Sequence, residues 1–120
     1  MTDPNTLVAR YIASFNEADA EKRFSLIGET FAETATYVDP LMQSEGWRGI
    51  DQMLAAVQSR FAGLVFRQVG KVDAYDDRVR FSWELGPADG PSIAGGTDFA
   101  RVEDGRLAEV VGFLDFAPAA

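Results

Sequence analysis

Tyr11, Asp39 and Asp98 are the residues whose side-chain types and local patterns could carry acid–base chemistry. The chain contains neither histidine nor cysteine. This excludes the commonest general base, thiolate nucleophiles, disulfides and metal sites made of imidazole or thiolate. Any proton transfer by side chains must therefore use Asp, Glu, Tyr or Lys.

Asp98 lies in a segment that alternates between two environments. It is in phase with Ala100 and Val102, whereas Arg101 and Glu103 take the opposite phase. In a strand this places Asp98 on the inward face. A lone ionised carboxylate is costly to bury, so Asp98 should be paired or have its pKa raised until it holds a proton. A protonated carboxyl group is a hydrogen-bond donor.

Tyr11 and Asp39 are the other two candidates for acid–base chemistry. Tyr11 lies on an apolar helical stripe between Leu7 and Phe15, which directs its hydroxyl inward. Asp39 ends a β-rich segment just before Pro40, where a carboxylate can stand at the mouth of a pocket. A base at the mouth and two buried donors would form a site that enolises a carbonyl compound.

Each of the three residues also has an ordinary structural explanation. Asp39 followed by Pro40 is a common strand-ending turn. Asp98 could satisfy backbone or arginine donors, and Tyr11 could be a core residue with a satisfied hydroxyl. An arginine paired with Asp98 would favour the structural explanation. A pocket holding all three residues, with no charged partner at Asp98, would favour catalysis.

Helical patterns occupy the first half of the chain. Asp3-Pro4 predicts the start of a helix that ends near Asn16, and Asp19 predicts the cap of a second helix that ends near Gly28. A short strand is predicted over 34–39, followed by a looser stretch over 41–49. A third helix follows and ends by Gly63, with an apolar face of Ile50, Met53, Leu54, Val57 and Phe61.

The second half of the chain has a period of two. Val79, Phe81, Trp83 and Leu85 alternate with polar residues, and turn signals occur at 76–77, 87–91 and 104–105. Residues 64–116 are therefore predicted to form a four-strand antiparallel meander. Helices followed by an antiparallel sheet indicate a single α+β domain over 1–120, with helices on one sheet face and a pocket between them.

Four aromatic residues are expected to contact a ligand in that pocket: Phe15, Trp47, Phe81 and Trp83. Trp83 shares the inward phase of its strand, although a tryptophan between Phe81 and Leu85 could equally be core. Trp47 lies in the looser stretch, where it could form a lid or pack on the surface. Phe99, on the face opposite Asp98, is a candidate contact with a second copy of the chain in a homodimer.

Charge and hydropathy exclude several other classes of function. Eleven basic and nineteen acidic residues give a net charge of -8, which repels nucleic acids and anionic membrane surfaces. No apolar run approaches the ~20 residues of a membrane helix. Without a basic, apolar leader, a cytoplasmic location is the default expectation.

Three segments together resemble a known family. They are Ala9-Arg10-Tyr11-Ile12, then Phe31-Ala-Glu-Thr-Ala-Thr-Tyr-Val-Asp-Pro40, then Thr97-Asp98-Phe99-Ala100-Arg101 followed by Gly105-Arg106-Leu107. In order and spacing they resemble the SnoaL-like and ketosteroid-isomerase-like branch of the nuclear-transport-factor-2-like (NTF2-like) superfamily, over nearly the whole chain. The resemblance implies a cone-shaped α+β fold, in which three N-terminal helices pack on a curved, mostly antiparallel sheet that encloses a pocket.

The same resemblance implies roles for the three residues. Asp39 falls at the position of the proton-shuttling base, and Tyr11 and Asp98 fall at those of the oxyanion donors, in an isomerase or cyclase that needs no cofactor or metal. The related dehydratases rely on histidine, which this chain lacks. The related epoxide hydrolases carry arginine two residues before the inward aspartate, where this chain has Gly96. Two alternatives remain: non-catalytic binding of a small apolar ligand, and a structural or interaction module.

Overall fold

Two helices precede the first strand, and a third helix follows the second strand. A computed structural model describes residues 3–118, with helix α1 at Pro4–Asn16, α2 at Ala20–Thr30 and α3 at Gly46–Arg60. The Asp3 and Asp19 side chains cap α1 and α2 by accepting from the backbone NH groups of Thr6 and Lys22. Both predicted helix starts are thereby confirmed.

The predicted end of α2 at Gly28 is wrong by two residues. The helix continues to Thr30 because the residues flanking Gly28 hold it in place. Ile27 and Thr30 are fully buried, and the Thr30 hydroxyl donates to the Leu26 carbonyl at 2.7 Å. Packing of the apolar face offsets the helix-weakening effect of one glycine.

The predicted looser stretch over 41–49 is also wrong. A short strand β2, Gln43–Glu45, pairs with strand β1, Phe31–Val38, and α3 begins directly after it at Gly46. Trp47 lies in the first turn of α3, where its indole Nε1 donates to the Phe31 carbonyl at 2.9 Å. That bond ties the start of α3 to β1.

Six strands form one curved, unclosed mixed sheet in the order β2-β1-β6-β5-β4-β3. The last four strands are β3 Val65–Tyr75, β4 Arg78–Gly86, β5 Ala94–Glu103 and β6 Arg106–Phe116. They pair antiparallel in sequence order, which confirms the predicted meander. β1 adds to β6 in parallel and starts at Phe31, three residues before the predicted strand.

The helices cover one face of this sheet, and the core lies between them. α1 packs against β3, and α3 packs against β1. The inward residues of β4 and β5 alternate as predicted, with Val79, Phe81 and Asp98 buried. Within residues 3–118, no helix is long and apolar enough to cross a membrane.

Candidate active site

A cavity of about 370 Å³ lies between α1, the C-terminal end of α3 and the inner face of the sheet. Apolar and aromatic side chains from all three layers form most of its wall, among them Phe15, Phe61, Phe66 and Trp83. Three further wall residues can donate or accept protons: Tyr11, Tyr37 and Asp39. The volume suits a small organic molecule, since pockets for such ligands span roughly 300–1,000 Å³.

Asp39 is held in a fixed orientation directly after β1. Its Oδ1 accepts hydrogen bonds from the backbone NH groups of Leu41 at 2.8 Å and Met42 at 2.9 Å. Its Oδ2 accepts from the Tyr37 hydroxyl at 2.6 Å. The turn that was the structural alternative is therefore present, and the carboxylate it orients also lies in the cavity wall.

Asp98 lies behind the wall of the cavity, and its side chain has no cationic partner among the described residues. Only 1% of it is exposed. Its Oδ2 accepts from the Tyr11 hydroxyl at 2.7 Å, and its Oδ1 accepts from the Trp83 indole NH at 3.2 Å. Asp98 thus reaches the cavity through Tyr11 and Trp83, both of which line it.

Burial dominates the electrostatics of this pair. It raises the pKa of Asp98 from 3.8 to about 6; the hydrogen bonds from Tyr11 and Trp83 oppose the rise, and the charge of Asp39 adds to it. Burial, followed by the charge of Asp98, also keeps the pKa of the Tyr11 hydroxyl well above its usual range. Tyr11 therefore remains a protonated donor at any ordinary pH, while Asp98 can change its protonation state near neutrality.

Gly112 allows the two carboxylates to approach each other. It pairs with Asp98 across β5 and β6. A Cβ atom at Gly112 would lie 2.8 Å from Asp98 Oδ1 and 3.3 Å from Asp39 Cβ. Any larger residue would therefore push Asp98, Asp39 or the strand out of place.

Tyr37 is the main site residue that the sequence predictions missed. Its ring is buried, and the charge of Asp98 acts with burial to raise its pKa far above the usual range. The Phe15 ring centroid lies 5.0 Å from that of Tyr11 and 6.4 Å from that of Tyr37. The two hydrogen-bonded pairs, Tyr37–Asp39 and Tyr11–Asp98, are therefore on the same side of the cavity. A signal was available, because Ala35 and Tyr37 share the buried phase of β1 that leads to Asp39.

Two of the aromatic residues expected to contact a ligand do not line the cavity. Phe81 is buried beneath it, 1% exposed, with its ring centroid 5.0 Å from that of Tyr11. Trp47 packs against β1 at the start of α3, so it is not a lid. Phe15 and Trp83 do line the cavity. Within residues 3–118, no group of acidic side chains is arranged to hold a metal ion.

Comparison with known sequences decides the family. The sequence pattern of the SnoaL-like domain matches residues 8–110. The chain belongs to the SnoaL-like family. A proposed isomerase of that family from Agrobacterium tumefaciens has 45% sequence identity and a TM-score of 0.90, over 96% of this chain and 99% of that chain. No curated protein matches this SnoaL-like chain.

More distant structures share the fold of this SnoaL-like protein. A proposed ketosteroid isomerase from Kribbella flavida is 18% identical, with a TM-score of 0.70 over 98% of this chain and 81% of that chain. A proposed polyketide cyclase from Sinorhizobium meliloti is 19% identical, with a TM-score of 0.69 over 88% of this chain and 92% of that chain. NTF2-like proteins of unknown function are similar as well, which confirms the predicted fold class.

Proposed function

We propose that this SnoaL-like protein is a cofactor-independent acid–base enzyme that acts next to a carbonyl group, as an isomerase or a cyclase. One observation carries the proposal: an oriented carboxylate, Asp39, and a buried phenol, Tyr11, share one apolar cavity, and the phenol is hydrogen-bonded to a carboxyl group of raised pKa. These are the parts that enolisation requires, namely a base for a carbon-bound proton and a donor for the oxygen that becomes negative.

In the proposed reaction, Asp39 removes a proton from the carbon next to the carbonyl group. The carbonyl oxygen gains the negative charge and accepts a hydrogen bond from Tyr11. Asp39 then returns the proton to another carbon, which gives an isomer. Alternatively, the enolate carbon attacks a second carbonyl group and Asp39 gives its proton to the alkoxide that forms, which gives a ring. Tyr37 is a positioning residue, since its hydroxyl holds Asp39 Oδ2.

Asp98 acts through Tyr11 in this mechanism. In the structure, Tyr11 donates to Asp98. The protonated form of Asp98 serves the reaction, and its raised pKa of about 6 populates this form before the enolate appears. The protonated carboxyl donates to the Tyr11 oxygen, and this frees the Tyr11 O–H for the enolate. The apolar wall strengthens each of these hydrogen bonds because little water competes for them.

The test is the conversion of β,γ-unsaturated ketones to conjugated enones, followed by ultraviolet absorbance, with native protein and Asp39→Asn. We expect the variant to lose turnover on the order of 10²- to 10⁴-fold, the usual contribution of a general base. Asp89→Asn is the matched control because Asp89 is exposed and does not line the cavity. If Asp39→Asn turned over a genuine substrate at the native rate, the mechanism would be abandoned.

One observation favours a second candidate, the binding of a small apolar ligand without turnover. Every buried side-chain nitrogen and oxygen among the described residues already has a hydrogen-bond partner inside the protein. A cavity whose buried polar groups are satisfied in this way can hold a guest by apolar contact alone. Saturable binding of a carbonyl compound that is recovered unchanged would support this candidate.

A further inference from the structure

Arg60 contributes the basic side chain in the cavity wall. It belongs to the last turn of α3, and Val57, Arg60 and Phe61 all line the cavity from one side of that helix end. The Arg60 guanidinium carbon lies 5.6 Å from the centroid of the Phe61 ring. A guanidinium over an aromatic face keeps its NH edge available for a planar acceptor.

Arg60 differs from most arginines of this chain in having no polar partner among residues 3–118. Six of the nine arginines donate to a described carbonyl, hydroxyl or carboxylate: Arg23, Arg67, Arg78, Arg80, Arg101 and Arg106. Arg10, Arg48 and Arg60 form no hydrogen bond or ion pair within the described part of the chain. Of these three, Arg60 alone lines the cavity.

The cavity wall carries one charged side chain of each sign. Asp39 is the acidic wall residue, Arg60 is the basic one, and no ion pair joins them. The rest of the wall is apolar or aromatic apart from two tyrosines. With a net charge of -8 the molecule as a whole repels anions, so a local cation such as Arg60 favours one place for an anionic group to bind. A carboxylate matches the fork of a guanidinium.

We propose that the cavity takes a small carbonyl compound that also bears a carboxylate, and that Arg60 binds this carboxylate. The identity of the carbonyl end rests on the proposed function, whereas the carboxylate end rests on Arg60. Arg60 is therefore a specificity-determining residue that contacts the part of the substrate remote from the reacting carbon. A basic residue in the last helical turn also stabilises the helix, and the test separates the two roles.

The experiment uses a cyclohex-3-enone bearing a carboxymethyl group and the methyl ester of the same compound. Native protein, Arg60→Met and Arg48→Met are compared; both are exposed arginines of α3, but only Arg60 lines the cavity. We expect native protein to prefer the acid in kcat/KM. Arg60→Met should raise KM for the acid roughly 2- to 5-fold, the value of an ion pair at an exposed side chain, and leave the ester and kcat nearly unchanged.

If neither compound is turned over, calorimetry measures the affinities of the protein for the saturated keto acid and for its ester. Tighter binding of the acid that is lost in Arg60→Met and kept in Arg48→Met supports it, even if Asp39→Asn shows that the proposed reaction is wrong. Equal affinity of native protein for acid and ester overturns it. So does an equal effect of the two arginine substitutions on the affinity for the acid, since this would indicate a general charge effect.

Discussion

At the scale of single residues, the main feature is a carboxyl group buried without a cation. The oxygens of Asp98 accept from Tyr11 and Trp83, which are neutral donors. Neutral donors compensate only part of the cost of removing a charge from water, so the pKa of Asp98 stays raised, at about 6. A structural role alone would be served equally well by a neutral residue at this position.

This pKa predicts how stability depends on pH. The pKa of Asp98 is about 6 in the folded chain, against a usual value of 3.8. Below the lower value both states bind the proton and stability is complete; as pH rises through the higher value, stability is lost. The loss is on the order of 3 kcal/mol, since each pKa unit is about 1.4 kcal/mol.

Urea unfolding of native protein and Asp98→Asn between about pH 4 and about pH 7 measures this effect. Asparagine does not titrate, so the native protein should lose stability relative to the variant as pH rises. The other carboxylates are common to both proteins and cancel in the difference. Two curves that stay parallel across this range would show that Asp98 keeps an ordinary pKa.

The inward directions of Tyr11 and Asp98 could be predicted from the sequence, because alternation and helical spacing fix the direction of a side chain. The distance of each side chain from the cavity could not be predicted. Phe81 and Trp83 share one phase of β4, yet only Trp83 reaches the cavity, whereas Phe81 lies under Tyr11. Depth along a strand depends on which helix crosses above it, and no local pattern contains that information.

At the scale of elements, the wrong predictions fall where tertiary pairing overrides weak local signals. Gln43–Glu45 has no apolar alternation, and it becomes a strand because β1 offers it a partner. The helix predicted to begin near Ile50 starts at Gly46, since the Trp47 indole bonds to β1. By contrast, turns with strong local chemistry, such as Asp104-Gly105 with both residues at positive φ, could be predicted.

The outer face of β5 and β6 carries exposed apolar side chains. The Phe99 and Phe113 rings lie edge to face at 5.8 Å and are 44% and 55% exposed. Val111, opposite Phe99, and Val38, opposite Val111 on β1, extend the same patch. We propose that a second copy of the chain covers this patch.

Light scattering should accordingly give a mass of two chains, with 13.1 kDa for each. Phe113→Glu should reduce the mass to one chain, because a charge in an apolar interface is left without solvent or a partner. Phe24→Glu, at an exposed phenylalanine of α2, should not. A native mass of one chain would remove the homodimer.

At the scale of the whole molecule, an acidic protein encloses an apolar cavity whose wall carries one charged side chain of each sign. The helices exclude water from one side of the sheet, and the sheet supplies Asp98 and Trp83 from below. This arrangement strengthens electrostatic interactions in the cavity relative to those at the surface. Proton transfer by Asp39 is therefore the central step of the proposed reaction.

The most direct measurement of that claim is the exchange of α-protons of a bound ketone for deuterium in heavy water, followed by NMR. Exchange reports removal of the proton and does not require the natural product to be known. We expect native protein to accelerate exchange and Asp39→Asn to return it close to the uncatalysed rate. Equal exchange rates with native protein and Asp39→Asn would contradict the account.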